Sequence, residues 1–433
     1  MFNYYLRLSW LSLRQTPVIS FLMVLAIAIG IGVSMTTLTV YHLKNTNPMA
    51  HKNSQLYAVQ LQTKDQSSTE EVPEQVTYQD VMNLRRSGIA KRQVGMYKTG
   101  MSVQSENKAI APFIELARVT DSSFFSMFEV KFIHGAPWDK SIDEVGSAVV
   151  VISESLNEKL FGGKNSIGEM VTLDSKLFTV TGVMKDYNPM PVFYDLNNGS
   201  FREGQNIYIP LSLASVNEYV SWGNNNSWKN ESITTFAQKL RSESMWLQYW
   251  VELENVDQQQ QYQAFLAAYV EGQQRVGRFS RKDAAGYLKN VQQWLDNRKV
   301  VGQDSQVLVG LSFMFLVVCL VNTIGLLLAK FLRRAPQVGV RRALGASQFE
   351  VFKQHLVEVS LVGFFGGTLG LLFTLLGLMG LRTIYSNFDH LSQIDLTMTL
   401  TVFLVSILSS VLAGLYPAYR ICRTNPAVHL KTQ

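Results

Sequence analysis

Residues Val18 to Tyr41 read VISFLMVLAIAIGIGVSMTTLTVY, a stretch of 24 residues without a charged side chain. A helix needs about 20 apolar residues to cross the ~30 Å hydrocarbon layer of a bilayer, at about 1.5 Å per residue. The stretch is too long for the apolar region of a signal peptide, and no Ala-x-Ala cleavage pattern follows it. We therefore expect a retained transmembrane helix over 18–41.

Three more apolar runs of membrane length occur in the last third of the chain, over 305–332, 356–385 and 398–419. A buried helix of a soluble protein can imitate one such run, but four runs in one chain argue against that alternative. They leave a long polar stretch, 42–304, between the first and the second. The predicted fold class is an α-helical integral membrane protein with four transmembrane helices and a large α+β domain inserted between the first two.

Basic residues beside the spans predict the orientation, because Lys and Arg near a span resist translocation. Two basic residues occur in 1–17, five in 333–355 and three in 420–433, against a single acid in the three pieces together. The short loop 386–397 instead carries two aspartates and no Lys or Arg. We expect both termini and 333–355 in the cytoplasm, and the loop and the domain 42–304 on the opposite side of the membrane.

Residues 1–17 are predicted to form an interfacial helix. Leu6, Trp10 and Leu13 share a face at helical spacing, and two arginines can reach lipid phosphates. The alternative is that these residues are the first turns of one long first span, and the sequence leaves both open.

The domain 42–304 is nearly neutral, with 27 Lys plus Arg against 29 Asp plus Glu. The formal charge of +6 for the whole chain therefore reflects the cytoplasmic pieces and does not indicate nucleic-acid binding. Both cysteines, Cys319 and Cys422, lie outside this domain, so no disulfide can staple it. A domain of this size can build its own core.

Signatures of catalysis are missing from the sequence. The segment Gly162-Gly163-Lys164-Asn165 lacks the earlier glycine and the hydroxyl residue of a phosphate-binding loop. Neither Gly-x-Ser-x-Gly nor His-Glu-x-x-His occurs, and two distant cysteines give no metal-ligand spacing. We predict no catalytic, cofactor or metal site in this chain.

Local patterns in the domain predict mixed α+β structure. Val149 to Ile152 is typical of a strand, after which Ser153 can cap a helix over Glu154 to Phe161. Trp246 to Glu254 alternates in a way that predicts a strand with one buried face. A further helix is predicted over Asp283 to Asn297.

Small residues in the last two spans predict close helix packing, because a helix without bulky side chains allows another to approach. Whether they pack within one subunit or between two stays open. The small residues are Gly363, Gly366, Gly367 and Gly370 in one span and Ser406, Ser410 and Gly414 in the other.

Charged residues are absent from the centres of the spans, which argues against a proton-coupled carrier or an ion channel. Lys330 and Glu358 are close enough to the predicted cytoplasmic ends to extend into the headgroup region. Asn322 and Thr323 are predicted to form hydrogen bonds between helices, with ligand contact as the alternative.

Four tryptophans occur close together in a predicted aromatic insertion of about 217–256. Exposed aromatic side chains could contact a periplasmic partner or a substrate, but such clusters also fill small cores. Both interpretations are kept for these residues, Trp222, Trp228, Trp246 and Trp250.

The segment 334–347, RAPQVGVRRALGAS, and the ending GLYPAYR at 414–420 resemble the permeases of the MacB/FtsX type, also called type VII ABC transporters. ARVTDSSFFSMF at 117–128, VVVISESLNEKLFGGKNSIGEMVTL at 149–173 and FTVTGVMKDY at 178–187 resemble the MacB periplasmic core domain. The likenesses touch nearly the whole chain except the Trp-rich part.

The resemblance implies a dimer of identical or paralogous permeases, each resting on a cytoplasmic ABC ATPase that binds ATP and Mg²⁺. ATPase closure would move the spans and, through them, the periplasmic domain, a process called mechanotransmission. Gln337, after Pro336, stands where family members usually have an acid. The residues that match the ATPase-facing motif are Arg341, Arg342, Leu344, Gly345, Ala346 and Ser347.

The resemblance further implies export of peptides, toxins or amphipathic drugs through a periplasmic adaptor and an outer-membrane channel. Two alternatives share the topology. One is an FtsX-like transducer that regulates a periplasmic cell-wall hydrolase, and the other is a permease for lipoprotein extraction. The genes beside this one would distinguish the three.

Overall fold

The computed structural model describes residues 2–64, 72–105, 107, 109–384 and 396–423. The chain divides into two compact units. One is a helical unit of residues 1–45 and 301–433, and the other is an inserted domain of residues 46–300. Most of the predicted loop 386–397 and of the tail 420–433 lies outside the described residues.

Helices make up the described part of the helical unit, and four of them are long and apolar enough to cross a membrane. The helices, numbered along the whole chain, are α1 (Phe2–Gln15), α2 (Pro17–Asn45), α3 (Tyr78–Leu84), α4 (Ser123–Met127), α5 (Ile142–Val145), α6 (Glu154–Phe161), α7 (Leu213–Asn217), α8 (Phe236–Arg241), α9 (Val256–Arg275), α10 (Val291–Asn297), α11 (Gln303–Arg333), α12 (Ala335–Ala343), α13 (Gln348–Ile384) and α14 (Leu396–Cys422). The four long ones are α2, α11, α13 and α14, and α13 begins eight residues before the predicted span.

A break at Thr16 separates α1 from α2, which begins at Pro17. Proline fits the first turn of a helix because its missing N–H has no partner there. The alternative of one continuous first helix is therefore wrong. Ser9, Ser12 and Leu13 of α1 are buried. Trp10 is 44% exposed, and its ring centroid lies 5.7 Å from that of Phe365 in α13.

Helix α2 lies against α11 and α13 and supplies much of the core of the helical unit. Met23, Ile27 and Ile31 follow one another at intervals of four residues and are all fully buried. This spacing puts them on one face of the helix. The opposite side of α2 carries exposed Phe21 and Val33.

In the inserted domain, eleven strands among the described residues form one mixed sheet. The order is β11-β1-β10-β3-β4-β9-β6-β8-β5. Outside this order, β2 pairs with β10, and β7 pairs with β3 and β8. Most pairs are antiparallel, but β4 with β9 and β6 with β8 are parallel. The strands are β1 (Leu56–Leu61), β2 (Val76–Thr77), β3 (Arg92–Gln104), β4 (Phe113–Thr120), β5 (Phe132–Gly135), β6 (Val149–Ser153), β7 (Met170–Leu173), β8 (Lys176–Met184), β9 (Ile207–Pro210), β10 (Met245–Glu252) and β11 (Gly286–Asn290).

Strand β10 is buried at every position, so the prediction of one buried face is wrong. Apolar clusters cover both sides of the sheet, with Tyr249 and Val251 in one cluster and Trp250 in the other. The predicted aromatic insertion 217–256 is also wrong in its second half. That half contains β10, which lies between β1 and β3 in the sheet and is therefore not an insertion.

Two local predictions have different outcomes. The strand, the Ser153 cap and the helix α6 are confirmed, and the Ser153 side chain accepts a hydrogen bond from the N–H of Leu156. The helix predicted over 283–297 is wrong in its first part, where β11 pairs with β1. Asn290 ends this strand and caps α10 in a capping box with Gln293.

Candidate functional site

The short helix α12 is the centre of the segment that was matched to the ATPase-facing motif. Ala335, Val338 and Gly339 form its buried base. Val338 belongs to one apolar cluster with Leu13 of α1 and Val351 of α13. Helix α12 is therefore packed against the rest of the helical unit and does not hang free.

A tight turn connects α12 to α13. The N–H of Gly345 donates to the carbonyl of Arg342 at 3.1 Å, and the N–H of Ala346 donates to the carbonyl of Arg341 at 3.1 Å. This pair of bonds is a Schellman motif, and Gly345 supplies its left-handed residue with a φ of +103°. Ser347 then caps α13, because its Oγ accepts a bond from the N–H of Glu350 at 3.2 Å.

The two arginines of the motif have different surroundings. Nη1 of Arg342 donates to the backbone carbonyl of Cys422 at 2.9 Å, which ties α12 to the end of α14. Arg341 is exposed, and its Nη1 donates to Oε1 of Gln354 at 3.0 Å. Arg342 thus has a structural role in the chain itself, and Arg341 is the more accessible of the two.

Large apolar side chains are exposed around this turn. Leu344 is 83% exposed, Phe349 is 64% exposed and Val340 is 46% exposed. We call residues 340–349 the exposed turn. It combines exposed apolar side chains with the exposed arginine Arg341, next to the buried base of α12. Such a combination is suited to binding another protein.

A buried polar node lies beside the base of α12. Nζ of Lys330 is 2.7 Å from Oε1 of Glu358, and both side chains are almost fully buried. Ser12 donates to Glu358, and Lys330 donates to Oγ of Ser20 at 3.3 Å. Arg334 completes the node through two bonds to Ser12.

The expectation that Lys330 and Glu358 extend into the headgroup region is wrong, because they pair with each other inside the helical unit. The node joins α1, α2, α11 and α13. Charged residues within apolar spans are rare and usually pair with one another. This rule could have predicted from the sequence that Lys330 and Glu358 form a pair.

A cavity of about 170 Å³ adjoins the node between α1, α12 and α13. His355, which is 4% exposed, borders it and places its Nδ1 3.6 Å from Glu358. The cavity is lined by residues of all three helices, including Leu11, Val338 and Val351.

The small residues of α13 and α14 meet each other within one chain. A Cβ atom at Gly363 would be 2.6 Å from Oγ of Ser410, and one at Gly367 would be 3.1 Å from Cβ of Ser406. A Cβ atom at Gly414 would be 2.6 Å from Val359. The alternating glycines face α2 instead, where Gly366 meets Ile27 and Gly370 meets Ile31.

The four tryptophans are not one cluster. Trp246 and Trp250 are each 1% exposed, so the predicted partner contact is wrong for these two. Trp222 is 51% exposed and Trp228 is half-buried. Burial on a central strand explains the difference, because only the first two belong to β10.

The polar residues of α11 also differ from expectation. Oγ1 of Thr323 donates to the carbonyl of Cys319 in its own helix at 2.8 Å, so a bond from this hydroxyl to another helix is not formed. Asn322 is exposed on the surface of the helical unit.

Comparison with known proteins identifies the chain. Residues 20–269 match the family model of the MacB-like periplasmic core domain, and residues 309–426 match that of the FtsX-like permease C-terminal region. The chain belongs to the MacB-like family of ABC transporter permeases. It is a multi-pass protein of the inner membrane, with its α/β domain between the first and second apolar helices.

Two curated relatives of the chain are ATP-binding/permease proteins. The macrolide export ATP-binding/permease protein MacB of Burkholderia cenocepacia (strain HI2424) is 24% identical over 310 residues, which are 70% of this chain and 39% of that protein. The pyoverdine export ATP-binding/permease protein PvdT of Pseudomonas syringae pv. tomato is 22% identical over 72% of this chain and 42% of its own length. The chain thus spans about two fifths of the curated relatives it matches.

Among solved structures, the periplasmic region of MacB from Actinobacillus actinomycetemcomitans is 13% identical, with a TM-score of 0.36. The match covers 58% of this chain and 97% of that one. The extracellular domain of the transporter YknZ from Gram-positive bacteria is 15% identical, with a TM-score of 0.34, over 54% of this chain and 100% of that one.

Proposed function

We propose that this chain is the permease subunit of a MacB-like export system and that it works by mechanotransmission. A separate cytoplasmic ABC ATPase, which binds ATP and Mg²⁺, docks on the exposed turn 340–349. Two permeases, identical or paralogous, act together. The inserted domain then moves cargo in the periplasm without cargo crossing the bilayer through this subunit.

The observation that carries the proposal is the exposure of Val340, Leu344 and Phe349 along the turn from α12 to α13, next to the buried base of α12. Apolar side chains of this size at a turn lose hydration when a partner covers them, which gives about 25 cal/mol per Å² of buried apolar surface. Arg341 adds a charge that can select an acidic partner surface.

Connectivity supports the transmission of motion. The buried polar node joins α1, α2, α11 and α13, and its Arg334 immediately precedes α12. These two helices are continuous in the chain with the two ends of the inserted domain, at Asn45 and Gln303. A displacement of α12 that shifts α2 relative to α11 therefore acts on both entry points of the domain.

The relatives support export as the outcome, because MacB is a macrolide export protein and PvdT is a pyoverdine export protein by name. For this chain we propose cargo of the peptide, toxin or amphipathic drug class. A periplasmic adaptor and an outer-membrane channel would complete the route.

Replacing Leu344 with Glu tests the docking. The full chain is produced together with its partner ABC ATPase, and co-purification and ATP hydrolysis of the complex are measured. Leu344→Glu should remove most of the ATPase from the complex. The matched control is Val216→Glu, which changes an equally apolar side chain, 73% exposed, in the inserted domain.

Arg342 is unsuitable for this test because its loss would also free α14 from α12. Arg341→Glu is the better charge reversal, and we expect it to weaken the complex. Full recovery of the ATPase with both Leu344→Glu and Arg341→Glu would contradict the proposed docking surface.

A further inference from the structure

A cleft of about 470 Å³ opens in the inserted domain. One side is formed by the end of α3 and the turn that leads into β3, with Arg85, Arg86 and Arg92. Another side is formed by α5 and the residues before it, with Lys140 and Glu144. Its volume lies in the range of about 300–1,000 Å³ that is usual for ligand sites.

The lining is charged, in contrast to the mostly apolar sites that bind drugs. Five cations and three acids line the cleft, which gives a formal excess of two positive charges. The cations are Arg85, Arg86, Lys91, Arg92 and Lys140, and the acids are Asp121, Asp143 and Glu144.

The two buried acids are already satisfied by the protein. Asp121 pairs with Arg85 and accepts a bond from the N–H of Gly95 at 2.8 Å. Asp143 accepts bonds from Ser122 and from Nε1 of Trp138 at 2.8 Å. Because Asp121 and Asp143 already have these partners, they do not need a bound cation from solution.

The cations of the cleft differ in whether an acid of the protein pairs with them. Lys91 pairs with Glu254 at 2.5 Å and Arg92 pairs with Glu252 at 2.8 Å. Arg86 and Lys140 are exposed and form no ion pair with any residue that the structure describes. They belong to different elements on different sides of the cleft.

We propose that this cleft binds a carboxylate-bearing ligand of the acidic-peptide class, with Arg86 and Lys140 each receiving one carboxylate. Two separated monovalent anions fit two separated cations, whereas a compact phosphate dianion would concentrate its charge near Glu144 and the buried acids. Arginine presents a planar fork that matches a carboxylate, and lysine adds a second point charge. The site does not depend on ATPase docking.

The test measures binding of a fluorescein-labelled hexaglutamate peptide to the purified full chain in detergent, by fluorescence anisotropy at 0.15 M salt. The variant Arg86→Ala/Lys140→Ala should raise the Kd about a hundredfold, because each of the two lost charged hydrogen bonds weakens binding about tenfold. The control Lys131→Ala/Lys185→Ala removes two exposed lysines elsewhere in the same domain and should change the Kd less than about twofold, because distant surface charges are screened at this salt concentration.

Two further arms make the test specific. Arg86→Lys/Lys140→Arg keeps both charges and should retain most of the binding, whereas the alanine variant should lose it while its circular dichroism spectrum stays that of the unmodified chain. Inorganic phosphate in excess should leave the peptide bound. Absence of peptide binding to the unmodified chain, equal loss in the lysine control, or full displacement by phosphate would each overturn the proposal.

Discussion

Nζ of Lys330 in α11 and Oε1 of Glu358 in α13 form an ion pair of 2.7 Å at almost complete burial. Such a pair is costly to break from one side, because the remaining charge stays in surroundings that exclude water. Ser12 and Ser20 bring α1 and α2 to the same point. The pair is therefore the contact through which four helices of the helical unit share one polar centre.

Removing one partner of this pair should destabilise the helical unit strongly. We expect Lys330→Met to lower the free energy of unfolding by about 3–5 kcal/mol. The double variant Lys330→Met/Glu358→Gln should recover more than half of this loss, because no charge is left alone. Thermal unfolding of the purified chain in detergent measures both, and a double variant no more stable than Lys330→Met would contradict the pairing.

Close approach of α13 to α14 should make Gly363 intolerant of a large side chain. Its Cβ position is 2.6 Å from Oγ of Ser410, so Gly363→Leu must push the helices apart at a cost of about 1–3 kcal/mol. Gly310 of α11 is the control, because a Cβ atom there meets no atom within 4 Å. Gly310→Leu should leave the melting temperature of the detergent-purified chain unchanged or raise it. A similar fall in both variants would argue against helix crowding as the cause.

The tryptophans should separate into core and surface residues when they are replaced. Trp250→Ala removes a buried ring between sheet and helices and should cost about 3–5 kcal/mol. Trp222 is half exposed and lies over Gly100, so Trp222→Ala should cost at most about 2 kcal/mol and leave a folded domain. Urea unfolding followed by circular dichroism compares the two. Equal losses would mean that Trp222 is also a core residue.

Sequence patterns predicted what local chemistry determines. The four long helices follow from apolar runs, and α6 follows from its Ser153 cap and the left-handed Gly162 after it. Contacts between distant residues could not be read in the same way. Lys330 and Glu358 pair because two helices meet, and β10 is buried on both faces because clusters from separate parts of the chain cover the sheet.

The same reason explains why the candidate sites were predicted only in part. The match at 341–347 located the exposed turn, but the bond from Arg342 to Cys422 depends on where α14 ends. Arg86 and Lys140 are far apart in sequence and come together only at the cleft. Folding, not composition, creates a site from them.

Asp121 should make the stability of the inserted domain depend on pH. Burial raises the pKa of this carboxyl from 3.8 to about 6, although Arg85 opposes the shift. Between these two values the folded chain holds a proton that the unfolded chain has lost. The contribution of Asp121 to stability is therefore present below pH 4 and is lost as the pH rises through 6.

Asp121→Asn removes this titration and supplies the comparison. The stability of the unmodified chain relative to the variant should fall by up to about 3 kcal/mol from pH 4 to pH 7. Tryptophan fluorescence during urea unfolding reports on this domain, since six of the seven tryptophans lie in residues 46–300. Parallel pH profiles would show that Asp121 titrates at its ordinary pKa.

Cysteine labelling should place the exposed turn in the cytoplasm. Both native cysteines are buried, so a thiol introduced by Ser347→Cys, at an exposed position, should dominate the reaction. In intact cells with a permeabilised outer membrane, a charged maleimide should fail to label Ser347→Cys until the inner membrane is opened. The control Ser126→Cys, exposed in the inserted domain, should react at once. Immediate labelling of Ser347→Cys would place the turn outside the cytoplasm, where no ATPase could reach it. It would also mean that the basic residues of 333–355 had crossed the membrane, contrary to the orientation that they predict.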